Sequence, residues 1–148
     1  MALQTTRPQS LGYGLNDSPV GMAAWILEKW QVWTASPSGN LLDRFTMDQL
    51  LTNVTLFWVT ETINSANRLY YERYHHPRDR LPDDRIDVPL GVALGATQPN
   101  ERPPREYVER LFTNIPHWVE LGRGGHFAAL EEPDLLAESI RTFFRPLR

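Results

Sequence analysis

Two short apolar runs in the second half of the chain constrain its fold most. Val88–Leu94 and His117–Leu121 each read as a short buried strand, and Pro103–Phe112 between them reads as a short helix. A glycine-containing loop follows. Glu132–Phe144 then places Leu135, Leu136, Ile140, Phe143 and Phe144 on one side of a final helix. Strand–helix–strand–loop–helix is the ending of a parallel α/β sheet. Two strands do not make a stable parallel sheet alone, because such sheets need neighbours and helices on both faces. The chain therefore reads as the second half of something larger.

The first half is helical. Residues 1–17 carry Pro8, Gly12, Gly14 and Asn16 without periodicity and read as loop. Ser18 is a suitable helix cap, and Pro19 suits the first helical position, where its missing N–H would be unpaired anyway. Met22, Trp25, Ile26, Trp30 and Trp33 follow at helical spacing, which predicts a helix over 18–33. Pro37 and Gly39 break it. Thr46 and Gln49 have capping-box spacing. Leu50, Leu51, Val54, Phe57, Trp58, Thr62 and Ile63 continue a helical period. That period allows one helix to about Tyr71, or a break near Asn53 or Thr55, where β-branched residues crowd. Residues 73–87 are a charged, proline-punctuated linker. The expected division is a helical part over 1–87 and an α/β part over 88–148.

The 148 residues fit one ordinary domain. A net charge of −3 with no basic stripe argues against nucleic acid as a partner. The absence of cysteine excludes disulfides and thiolate-bound metals. His75, His76, Asp79, Asp83 and Asp84 match no standard metal-site spacing, so no metal is expected. Residues 1–10 lack the features of a signal peptide, and no apolar run reaches about 18 residues. No membrane association is expected, and the cytoplasm is the favoured compartment.

The strongest chemical signal is Arg123-Gly124-Gly125-His126-Phe127-Ala128-Ala129-Leu130-Glu131-Glu132-Pro133. A histidine at the end of a glycine turn, just before a helix, is how a scaffold presents a general base to a cavity. Glu131 and Glu132 read as acids that complement the dipole of the last helix.

Arg7–Gln9, Leu15–Gly21, Leu50–Thr55 and Gly124–Pro133, in this order, resemble the C-terminal half of microsomal-type epoxide hydrolases, which have the α/β-hydrolase fold. The resemblance runs from near residue 4 to residue 148. It implies a partial α/β-hydrolase fold: a helical cap segment followed by the last two parallel strands and helices of the core. It also implies a chemistry. An aspartate attacks the epoxide and forms an ester, two cap tyrosines stabilise the developing alkoxide, and a histidine oriented by a carboxylate activates water. No metal or organic cofactor is needed, and the substrate is a hydrophobic epoxide. His126 matches the histidine. Tyr70 matches one tyrosine, with Tyr71 as a register alternative. Trp25, Trp30, Trp33 and Trp58 stand at helical spacing and are expected to pack within the cap rather than form a ligand cage, with lining of an apolar substrate tunnel the alternative for some of the rings.

The same resemblance places the nucleophile, the oxyanion-hole segment and the second tyrosine upstream of this sequence. The orienting acid falls near Gln98 or Pro99, with Glu101 the nearest carboxylate, either the replacement acid or a solvated one. The expectation is a truncated chain that is inactive alone. The alternative is a non-catalytic binding or assembly module, paired with itself or with a separately encoded N-terminal half through its sheet edge.

Overall fold

The computed structural model describes residues 2–76, 85–96 and 102–148. In chain order the helices are α1 (Ala2–Thr6), α2 (Pro8–Asp17), α3 (Pro19–Trp33), α4 (Met47–Val59) and α5 (Ile63–His75). Strand β1 (Gly91–Leu94), α6 (Arg105–Val108), β2 (His117–Glu120), α7 (Ala128–Glu131) and α8 (Pro133–Phe144) follow. The described residues gather into two compact units. One draws on Met1–Val32 and Phe45–Asp79, the other on Trp33–Arg44 and Arg80–Arg148.

The first unit is all helical. Its core is Leu15, Met22, Val54 and Ile63, with Leu11, Trp25, Ile26, Leu27 and Phe57 packed around it. The caps form as the sequence implies. Ser18 Oγ accepts from the Gly21 N–H at 3.0 Å, and Thr46 and Gln49 close a reciprocal capping box. Residues 2–17 are a correction, since all but Arg7 are helical rather than loop. The buried face of α2 is Pro8, Gly12 and Leu15, an i, i+4, i+7 stripe. Two of those three residues are small or cyclic, so no apolar period shows. The face packs on α5. Asn67, buried on α5, accepts a hydrogen bond from the Gln4 side chain at 3.1 Å.

The helical period after Thr46 does break, but at residues 60–62. The Thr62 N–H donates to the Phe57 carbonyl, and the Glu61 N–H donates to the Trp58 carbonyl. These are the two bonds of a Schellman stop. Its left-handed position, usually glycine, is Glu61, with φ of 54°. The β-branched crowd at 54–55 is tolerated inside α4, where Val54 is buried against the core.

The second unit contains the parallel pair. Gly91, Val92, Ala93 and Leu94 align with His117, Trp118, Val119 and Glu120. An isolated parallel bridge pairs Ile86 with Phe112. The first strand is shorter than its apolar run. Pro89 has no N–H to give a ladder, and Val88 is 63% exposed. Helix α8 packs on β1. A turn at Leu41–Asp43 is capped by Asn40. The Asp43 carboxylate accepts from the Ser36 and Ser38 hydroxyls. The Ser38 hydroxyl first, then that of Ser36, holds the Asp43 carboxyl below the usual carboxylate range.

Replacing Glu61 with glycine relieves a left-handed non-glycine residue, which costs about 1–2 kcal/mol. Glu61→Gly is expected to raise the urea midpoint, with a net gain of about 1 kcal/mol after the added unfolded-state entropy; Glu61→Ala is expected to show no such gain. Asp43 has a depressed folded pKa. Its contribution is therefore present above the unfolded value near 3.8 and is lost as pH falls through the lower folded value. Protection of the Ser38 amide should follow that acid limb in hydrogen exchange, and Asp43→Asn should remove the limb.

Candidate active site

The loop after β2 turns at Gly124, whose φ is 78°, a conformation that glycine adopts without strain. Gly125 is required for a different reason. A Cβ there would lie 2.6 Å from both the Ala35 nitrogen and the Trp33 oxygen. The loop thus lies directly against the backbone of residues 33–35. The His126 N–H donates to the Trp33 carbonyl at 3.0 Å. The Ala96 N–H, just beyond β1, donates to the Gly124 carbonyl at 2.6 Å.

The side chain that organises this contact is Glu131, at the end of α7. It is only 8% exposed. One carboxylate oxygen accepts from the Gly125 and Ala35 N–H groups, each at 2.9 Å. The other accepts from the Phe127 N–H at 3.0 Å. The expectation that Glu131 simply complements a helix dipole is corrected, because this acid is buried and fully engaged with backbone. Glu132 beside it accepts from the Arg44 guanidinium at 2.8 Å, with Arg123 at 3.6 Å. Arg44 Nε also donates to the Ala35 carbonyl at 3.1 Å.

His126 is itself exposed. Its ring lies 4.9 Å from that of Trp33 and 5.1 Å from that of Phe127, centroid to centroid. Trp33, grouped by spacing with the other tryptophans, thus packs on the histidine. Trp30, by contrast, is buried and meets Phe45 edge to face at 4.9 Å. His126 lines a cavity of about 420 Å³ with Ala93, Leu94, Gly95, Arg102, Gly125 and Ala128. This cavity lies at the carboxyl end of β1, where open α/β sheets bind ligands. Arg102, which sequence reasoning passed over, donates to the Gly95 carbonyl at 2.7 Å and lies 3.6 Å from Glu120. An exposed imidazole at a cavity mouth has the access to take a proton from a water.

Tyr70 is half-buried on α5, in the first unit. Tyr71, the alternative, stacks on His75 at 4.0 Å. Glu101, Gln98 and Pro99 lie outside the described residues, as do Asp79, Asp83 and Asp84. His117 bonds Ser139 on α8 at 2.9 Å, which ties β2 to that helix. Among the described residues no helix is long and apolar enough to cross a membrane.

No protein-family model matches the chain. Over 148 aligned residues it is 42% identical to a protein named putative epoxide hydrolase from Stigmatella aurantiaca, covering 99% of this chain and 32% of that one. It is 40% identical to epoxide hydrolase 1 of Sus scrofa, covering 97% of this chain and 33% of that one. The crystal structure of juvenile hormone epoxide hydrolase from the silkworm Bombyx mori matches with a TM-score of 0.84 at 30% identity, covering 99% of this chain and 37% of that one. The Aspergillus niger epoxide hydrolase matches at 0.79 and 28%, covering 99% and 35%. The chain spans about a third of the length of the relatives it matches, and its fold is part of the α/β-hydrolase fold.

Gly125→Ala forces backbone apart at Trp33 and Ala35. It is expected to destabilise the second unit by about 1–3 kcal/mol and to abolish slow exchange of the His126 amide. Denaturant unfolding with amide exchange checks both.

Proposed function

We propose that this chain, a homologue of the epoxide hydrolases, contributes the water-activating part of their reaction, with His126 as the general base. The observation that carries the reading is the exposed His126 imidazole, held on a glycine turn at the mouth of a cavity beyond the sheet's carboxyl edge. The chemistry runs in two steps. A carboxylate oxygen attacks an epoxide carbon, the carbon–oxygen bond breaks, and a tyrosine hydroxyl protonates the alkoxide. His126 then takes a proton from water, the resulting hydroxide attacks the ester carbonyl, and the tetrahedral intermediate collapses to the carboxylate and the vicinal diol while the imidazolium returns its proton to the tyrosinate.

In this reading Tyr70 donates to the epoxide oxygen, residues 1–87 form the cap part, and residues 88–148 form the core part. Neither step requires a metal or an organic cofactor. The nucleophilic carboxylate and the second tyrosine come from outside these 148 residues, on the same polypeptide or another. Glu101 is the candidate for orienting His126. The apolar helical part favours a hydrophobic epoxide. Of the groups in this reading, the chain supplies Tyr70 for ring opening and His126 for hydrolysis.

Styrene oxide tests the reading in two forms. The 148-residue chain alone is expected to form no diol, and diol formation lost on His126→Ala would overturn the division of labour. A chimera carrying these residues in place of the matching segment of the silkworm enzyme is expected to turn over. His126→Gln should lower its kcat by about 10²–10⁴; unchanged turnover would remove His126 as the base.

A further inference from the structure

The position of His126 depends on groups outside its own side chain. Its ring is exposed, so burial does not set the ring's direction. What is set is the backbone. The N–H groups of Gly125 and Phe127, on either side of the histidine, both donate to the Glu131 carboxylate. The histidine's own N–H donates to the Trp33 carbonyl. The segment bearing that carbonyl is tied to the same carboxylate through Ala35 N–H. The two amides flanking the histidine and the strip of chain that its own amide bonds therefore close on one side chain.

We propose that Glu131 is a positioning residue for His126, fixing the backbone from which the imidazole projects and the Trp33 ring against which it rests. The proposal rests on the reading of His126 as the base, and its geometric content stands apart from turnover. The chemistry requires a carboxylate at this place. All three partners are N–H donors, and an ionised carboxylate is the side chain that only accepts. The Glu131→Gln side chain would carry the same shape but one oxygen. Turned one way it would lose the Phe127 bond and set N–H against N–H. Turned the other way it would lose both Gly125 and Ala35. Glu131→Asp would leave the carboxylate one methylene short. Bonds to a charged acceptor are the strong class, and catalytic groups misplaced by about 1 Å lose about 10² in rate. A buried carboxylate holding both neighbours of an exposed base is a means to that precision.

Solution NMR on the 148-residue chain tests this with Glu131→Gln and Glu131→Ala. In the parent chain the Trp33 ring current should displace the His126 Cε1–H resonance from its free-histidine position. In both variants that displacement is expected to collapse. Exchange at the Gly125, Phe127 and Ala35 amides should quicken at least about ten-fold, the factor that corresponds to about 1.4 kcal/mol. The Leu121 amide, which bonds Leu94 across the strand pair, and the α8 amides should keep their protection. If Glu131→Ala unfolds the unit, the near-isosteric Glu131→Gln decides. An unchanged His126 resonance in Glu131→Gln would overturn the proposal, and so would loss of protection spread evenly over Leu121 and α8. An inactive base in the turnover assay would instead overturn the functional reading and leave this geometry intact.

Discussion

The Glu131 carboxylate is the interaction on which the second unit's arrangement depends. It joins residues 125–127 to Ala35, which is 96 positions away in sequence. A carboxylate buried without partners would lose hydration worth several kcal/mol. Here its oxygens meet three backbone donors. Each donor would itself be costly to bury unpaired. The pairing thus satisfies acceptor and donors together, and it works only because Gly125 has no side chain to hold the two backbones apart. Arg44 extends the same junction, bonding the Ala35 carbonyl with one nitrogen and Glu132 with another.

From that junction the candidate site follows. The turn after β2 is drawn against residues 33–35, and the end of β1 is tied to the same turn through Ala96 and Gly124. Strand ends and the histidine loop therefore meet at one edge of the parallel pair. The imidazole remains open to solvent while the peptide groups around it are fixed. This combination suits a group that must exchange protons with water yet hold a direction. The general-base role proposed for His126 asks for both.

Much of the fold was legible because it was written in local signals. The caps at Ser18 and Thr46 act within one turn, and α8 shows a plain apolar side. Both strand runs were found, although Pro89 shortened the first. The misses share one cause. Helix α2 buries Pro8 and Gly12, residues whose value lies in how closely another helix can approach. The stop after α4 uses Glu61 where glycine is the recognisable residue, so the motif is visible in its hydrogen bonds and hidden in its letters. At the site, His126 was legible from its glycine turn. Glu131 was read as one of two surface acids, because nothing near it in sequence foretells the amide of Ala35. A signal was present in part, since a carboxylate five residues after a histidine on a tight turn can reach back to the turn's N–H groups.

The sequence by itself determined the starts of α3, α4 and α8, the parallel pair and the identity of the candidate histidine, and it left α1 and α2 hidden. These rest on periodicity, capping and turn chemistry, which act over a few residues. Tertiary structure alone decided which acid is buried, which tryptophan meets the histidine and which glycine admits a second backbone. Those outcomes depend on segments about 90 residues apart coming within hydrogen-bonding distance, and a hydrogen bond is set by where two atoms lie and not by how far apart their residues are in the chain.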